Sequence, residues 1–220
     1  MSVMELSRST QDFLKVVWAA TEWCDNPVTP SVVARRLGLK LSTVSGTFTK
    51  LTTEGLAARS ESGSILLTEA GRKHALQMIR RHRLIETFLL EQLHYPLEMV
   101  HAEAENLEHT ASDFLINQID ELLGHPTRDP HGDPIPDRDG VLTGPQARVL
   151  WTVPPGEYGV ERIDDGDAEL VSFFSEFGIT LGRRITVAEG EPYSDTVHVH
   201  TDSGRSTALG RRAAEAIWVA

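Results

Sequence analysis

The sequence predicts a mainly α chain with a smaller β portion: an N-terminal winged helix-turn-helix, an all-helical middle and a small C-terminal β-barrel. Three observations predict it. Two short helical stretches joined by a glycine turn precede a hairpin pattern; amphipathic helical periods then run from residue 68 to residue 123; and beyond residue 144 short apolar runs alternate with turn residues.

From Ser9 to Trp23, Phe13, Leu14, Val16, Val17 and Ala20 recur with helical spacing, and Ser9 or Thr10 is the expected N-cap. Thr29-Pro30 opens a second helix, because Thr caps and Pro fits the first turn, and Gly38 ends it. Ser42 is the expected cap of a third helix, with Val44, Phe48 and Leu51 on its buried stripe and Gly55 as terminator. Leu56–Ser60 and Ser64–Thr68 flank Glu61-Ser62-Gly63 as a β-hairpin, the wing. A long helix follows from Thr68 to His94, then one from Leu97 to Ala111 and one from Ser112 to Leu123, whose exposed apolar faces suit a dimer interface. Residues 124–140, rich in Pro, Gly and Asp, read as a linker or extended surface loop, with His125 and His131 solvated. Strands are expected at Ala147–Val153, Tyr158–Ile163, Arg184–Val187 and Thr196–His200, with a helix at Ala168–Phe177; Ser206–Val219 fits strand or helix equally. The expected domains are 1–73, 74–143 and 144–220.

The net charge of −11 argues against nucleic acid as a partner until its distribution is considered. Residues 1–75 sum to +2, residues 76–143 to −8 and residues 144–220 to −5. The acidity therefore lies where a cation would relieve it, and the N-terminal portion remains mildly basic. No apolar run is long enough for a membrane-spanning helix, and the first residues do not resemble a secretory signal, so a cytoplasmic protein without a membrane partner is expected. The single cysteine, Cys24, excludes an internal disulfide and a thiolate-cluster zinc site.

His101, Glu105, Glu108 and His109 are spaced i, i+4, i+7 and i+8, which places them on one face of a helix. Imidazole nitrogens and carboxylate oxygens on adjacent turns form a chelating surface for a divalent transition metal, and no thiolate is present among them to favour zinc or copper(I). His82 and Glu86 form a second such pair. The same pattern also describes solvated charges on an acidic helix, although clustered carboxylates repel one another and a cation offsets that cost. His198 and His200 share a strand face without a nearby acidic partner. No Ser-His-Asp order, phosphate loop or CxxC is present; a metal-dependent hydrolase is the reading of a different class, but no substrate pocket or general base is recognisable and a small organic substrate is not expected.

The segments TVSGTFTKLTTEGL (43–56), LTEAGR (67–72), RRHRLIETFL (80–89), VHAEAENLEH (100–109) and HGDPIP (131–136), in this order, resemble the diphtheria toxin repressor family of iron- and manganese-dependent regulators. The resemblance spans essentially the whole chain and implies an SH3-like C-terminal domain and a homodimer on a palindromic double-stranded DNA operator. It implies a primary metal site at Asp12, Glu105, Glu108 and His109. An ancillary site is implied at His82, Glu86 and His101, with a barrel-domain oxygen from Asp167, or from Asp165 or Glu169. Iron-responsive members carry methionine and cysteine where this chain has Asp12 and Glu105, so Mn(2+) is the expected ion, with Fe(2+) or other divalent transition metals as alternatives. Lys15 stands where two-domain manganese regulators supply a further glutamate. Ser42, Thr43, Ser45, Gly46 and Thr47 are expected nearest the bases or phosphates, and Lys40, Lys50 and Arg59 on backbone phosphates.

Overall fold

The structure is a computed structural model that describes residues 3–23, 26–191 and 193–220; Cys24 lies outside the described residues. The chain divides into two compact units. One comprises the chain up to His82 together with Leu107–Ile116 and Pro136–Val141; the other comprises Arg83–Asn106, Asn117–Ile135 and Leu142–Ala220.

In the first unit, α1 (Arg8–Glu22), α2 (Pro30–Leu37) and α3 (Leu41–Thr53) pack around Phe13, Leu14, Val17, Val33, Val44, Phe48 and Leu51. The apolar stripe of each helix faces this core because residues three and four apart share a face. The cap of α1 is Ser7, whose side chain accepts from the Thr10 amide, not Ser9 or Thr10. Thr29 caps α2 as expected, and Gly38 ends it with φ +64°. The recognition-helix candidate α3 starts one residue before Ser42, from Lys40, which makes no side-chain cap. Ser42 thus lies inside the first turn with its hydroxyl exposed rather than committed to a cap. The wing is short: β1 (Ala57–Arg59) pairs antiparallel with β2 (Ile65–Leu67), Ala57 opposite Leu67. Thr68 then accepts from the Gly71 amide and starts α4 (Glu69–Leu93). Gly71 is obligatory there, since a Cβ would lie 1.9 Å from the Leu56 carbonyl oxygen.

Helix α5 (Leu97–Leu107) stops four residues earlier than its periodicity suggests. Thr110 and Ala111 both donate to the Leu107 carbonyl, closing a tight turn that carries Glu108 and His109 off the helix. Helix α6 (Asp113–Leu122) begins on Ser112, which accepts from the Leu115 amide.

In the second unit, a six-stranded antiparallel sheet has the order β3 (Arg148–Val149), β8 (Ile217–Val219), β4 (Gly156–Ile163), β5 (Arg184–Glu189), β6 (Thr196–Thr201), β7 (Ser206–Gly210). Strand β4 serves both halves: Gly156–Gly159 pair with β5, and Val160–Ile163 pair with β8 across a register shift. That shared, bent strand folds the sheet around a core of Val160, Phe174, Ile185, Val199 and Ile217. Helix α7 (Ala168–Phe177) occupies the expected span. The ambiguous C-terminal stretch is β7, a single helical turn α8 (Arg211–Ala214), and β8.

The Pro-rich segment departs most from its sequence. Asp129 and His131–Pro136 are buried, and His131 is only 1% exposed, whereas His125 is largely solvated. The polar residues are buried because they are paired. Asp129 accepts from the His131 and Asp133 amides, Asp133 accepts from Arg162 Nε at 2.7 Å, and Arg83 donates to the Pro134 carbonyl at 2.6 Å. Arg162 also stacks over Trp218, 4.1 Å from the ring centre. Gly132 sits at φ +97°, where a Cβ would lie 2.2 Å from the Glu161 carbonyl oxygen. Gly132→Ala should therefore destabilise this unit by about 2–4 kcal/mol through backbone strain and overpacking. Thermal unfolding checks this, and an unchanged midpoint would refute the tight approach.

Candidate metal centres and nucleic-acid interface

Helix α1 has two working faces. One is apolar and belongs to the core; the other presents Gln11, Asp12 and Lys15, spaced to share a side. Against it lie Glu108 and His109. His109 Nε2 is 2.9 Å from Asp12 Oδ1 and 3.5 Å from Glu108 Oε1, and ligand atoms of all three residues lie within 4.8 Å of one another.

Gln11 decides which imidazole nitrogen faces this group. Its amide NH₂ donates to the Val3 and Leu6 carbonyls at 2.9 and 3.2 Å, which leaves Oε1 to accept from His109 Nδ1 at 2.7 Å. His109 Nε2 is then the lone-pair nitrogen, and it is buried with no hydrogen-bond partner. An imidazole nitrogen facing a carboxylate at 2.9 Å needs a proton or a metal cation between them, and a glutamine hydrogen-bonded to the other ring nitrogen is the usual way to orient a metal-binding histidine. The residues fit a divalent metal ion.

Glu108 is fully buried. Its Oε1 accepts from Lys15 Nζ at 2.6 Å and its Oε2 from His82 Nδ1 at 2.6 Å. Burial pushes its carboxyl up, but His82 and the Lys15 ammonium outweigh that and hold it below the ordinary carboxylate range. Arg81 secures the turn, donating to the Glu108 and Ala111 carbonyls and pairing with Asp113 at 2.5 Å. Glu105, expected to join this group, falls in the second unit, 3.8 Å from His101 Nε2. His82, expected with the ancillary residues, is bonded in the first unit to Glu108, one turn before Glu86 on α4.

The second unit carries its own cluster. His101 Nδ1 is 3.1 Å from Glu86 Oε1 and 2.8 Å from Asp165 Oδ2. Of the three carboxylates considered for the barrel domain, Asp165 is the one the structure brings to His101. Asp167 instead caps α7, accepting from the Leu170 amide, and pairs with Arg212 at 2.7 Å. Glu169 is exposed in the first turn of α7. Burial lowers the basicity of His101, but Asp165 and Glu86 more than reverse this and push its pKa up to about 11.

Sequence reasoning missed His131. Its buried Nδ1 has no hydrogen-bond partner and lies 3.9 Å from Asp165 Oδ2. Beside it, burial together with the Asp133 and Glu86 carboxylates pushes the Asp129 carboxyl well above its usual range, against the pull of Arg83. The D-P-H spacing in 129–131 was the available signal, hidden by the polar composition of the segment. Gln11 was also missed, because nothing local marks a glutamine that acts on a residue 98 positions away.

On α3, Lys40, Ser42, Thr43, Ser45, Gly46 and Lys50 are exposed, Thr47 is half-buried, and Gly46 has open space around it. Leu39 and Leu41, not anticipated, expose apolar surface beside them. Lys50 leans toward Glu54 at 3.8 Å, and Arg59 on the wing lies over Phe48 and donates to the Gly63 carbonyl. These groups suit phosphate and base-edge contacts from a helix in the major groove. No helix among the described residues is long and apolar enough to cross a membrane.

Three family models match the chain. They are the iron dependent repressor N-terminal DNA binding domain over residues 5–63, the iron dependent repressor metal binding and dimerisation domain over residues 68–137, and the FeoA domain over residues 150–220. The chain is 30% identical over 198 residues to the iron-dependent repressor IdeR of Mycobacterium tuberculosis, covering 83% of this chain and 85% of the relative. It is 33% identical to the diphtheria toxin repressor of Corynebacterium efficiens, covering 83% and 84%. A solved manganese-dependent transcriptional repressor in complex with manganese matches with a TM-score of 0.89 and 44% identity, covering 96% of this chain and 99% of that one. The chain belongs to the diphtheria toxin repressor family of metal-dependent, DNA-binding transcriptional repressors.

Proposed function

We propose that the chain is a manganese(II)-activated repressor. It acts in the cytoplasm as a homodimer on palindromic operators, and controls metal-ion homeostasis genes. Residues 1–73 bind DNA, residues 74–143 bind metal and dimerise, and residues 144–220 form the SH3-like domain. What carries the proposal is the Asp12–Glu108–His109 group, in which Gln11 turns the free imidazole nitrogen of His109 onto two carboxylates. Oxygen and nitrogen donors without sulfur suit manganese(II), and Asp12 and Glu105 stand where sulfur ligands mark iron-responsive relatives. The 44%-identical solved repressor, which carries manganese in its name, supports the same ion. Glu86, His101 and Asp165, with His131 as an added nitrogen, make the ancillary centre. The exposed Phe114 and Leu115 of α6, and Leu93, Met99 and Leu122, supply apolar surface for the dimer.

A metal ion held by this group supplies a positive charge shared by its ligands. The chain supplies the coupling: α1 carries Asp12 on one face and the helix-turn-helix core on the other, so fixing Asp12 against Glu108 and His109 fixes the orientation of the recognition helix. Lys40, Ser42, Thr43, Ser45, Gly46 and Thr47 then meet the operator, with Lys50 and Arg59 on phosphates.

Fluorescence anisotropy on the promoter of a neighbouring metal transporter tests this. Manganese(II) should strengthen binding at least ~10-fold over a chelated sample, within the usual range of such couplings, and His109→Ala should abolish the gain. Affinity indifferent to metal would sink the proposal. Replacing both Asp12 with Met and Glu105 with Cys should shift activation toward iron(II); an unchanged order of metals would count against the assignment of those residues.

The His101 imidazolium gives a pH signature in the metal-free protein. Its pKa is raised from 6.5 to about 11, so its contribution to stability is complete below pH 6.5 and is lost as pH rises toward 11. In chelator, the stability lost on His101→Gln should shrink between pH 7 and pH 10, as read by denaturant unfolding. A loss that grows with pH would contradict the Asp165–His101–Glu86 arrangement.

A further inference from the structure

We propose that Lys15 is a built-in second cation of the primary centre, whose ammonium occupies one side of Glu108 permanently and so limits Asp12, Glu108 and His109 to a single divalent ion. This rests on the metal assignment above.

Lys15 follows Asp12 by three residues on α1, so both side chains leave the same face of the helix. Its side chain is only 10% exposed, yet a lysine is rarely buried unless paired. Here the partner is Glu108 Oε1 at 2.6 Å, with His82 Nδ1 3.4 Å away. The same Oε1 atom lies 3.5 Å from His109 Nε2. Glu108 Oε1 is therefore shared between a fixed ammonium and the Asp12–His109 pair.

Two consequences follow from charge. First, Lys15 neutralises one of the two carboxylates of the group, so the metal-free centre is not forced apart by like-charge repulsion. Second, a divalent ion placed on the Lys15 side of Glu108 would meet an ammonium at contact distance in a buried setting, where repulsion is poorly screened. The open side, toward Asp12 and His109, takes the ion. Lys15 thus acts as a positioning residue: it holds Glu108 and sets the number of ions without ligating any.

The test is the count of manganese(II) bound per full-length chain, by native mass spectrometry and by the loss of the free-ion EPR signal. Lys15→Glu should bind one ion more than the natural chain; an unchanged count overturns the proposal. Lys15→Met, which keeps length but removes charge, decides the matter if the glutamate variant does not fold. Its thermal midpoint should fall further in chelator than in saturating manganese, because bound metal also counters the Glu108 charge that the ammonium otherwise balances alone. An equal fall in both states is the mark of a merely structural lysine and overturns the proposal. His109→Ala should lose one ion from the natural count. If it does not, the primary centre itself is misassigned, a failure distinct from either Lys15 result.

Discussion

The buried carboxylate of Glu108 is the constraint on which the first unit depends. It sits just past the end of α5 and divides its two oxygens between Lys15 of α1 and His82 of α4, so one group ties three chain segments by charge-assisted hydrogen bonds. Breaking such a buried pair by removing one partner costs roughly 3–5 kcal/mol, because the remaining charge is left uncompensated. The tight turn at 107–111 exists to deliver this carboxylate. The Arg81 guanidinium, which donates to the carbonyls of Glu108 and Ala111, holds the turn in place of the missing helical hydrogen bonds.

The second unit solves a related problem by a different route. A loop of prolines, glycines and aspartates has little apolar area to bury, so its burial must be driven by pairing. Arg83, Arg162, Asp129 and Asp133 supply it, with the Trp218 ring on one face of Arg162. Carboxylates crowd this network: burial and the neighbouring Asp133, Glu86 and Asp165 push the Asp129 carboxyl well above its usual range against the pull of Arg83. A cation is stabilising in such a setting.

Periodicity made most of the elements legible. Val44, Phe48 and Leu51 announced the buried stripe of α3, Thr29 and Gly38 announced both ends of α2, and α7 was delimited to the residue. What the sequence concealed is long-range. Pattern reasoning assigns Glu108 and His109 to the helix before them, since no local signal distinguishes a helix that continues from one that turns to satisfy Arg81. It assigns His131 to solvent because composition, not partnership, is what a local window sees. It cannot choose among Asp165, Asp167 and Glu169, which differ in what they are already doing. Asp167 is spent on an N-cap and on Arg212, and that became visible only with α7 and α8 in place.

Under the proposed metal assignment, the two faces of α1 would link metal occupancy to DNA binding through one helix. Phe13, Leu14 and Val17 are close-packed against α2 and α3, so α1 cannot shift without carrying the recognition helix with it. Gln11, Asp12 and Lys15 meet Glu108 and His109 on the opposite side. Of these contacts, Lys15–Glu108 is satisfied without metal, whereas Asp12–His109 sets a carboxylate against an imidazole lone pair. The first contact needs no metal, and the second needs a proton or a metal ion between its partners. On the metal assignment proposed above, a metal ion at Asp12 and His109 would act on α1 while the Lys15–Glu108 pair stays satisfied.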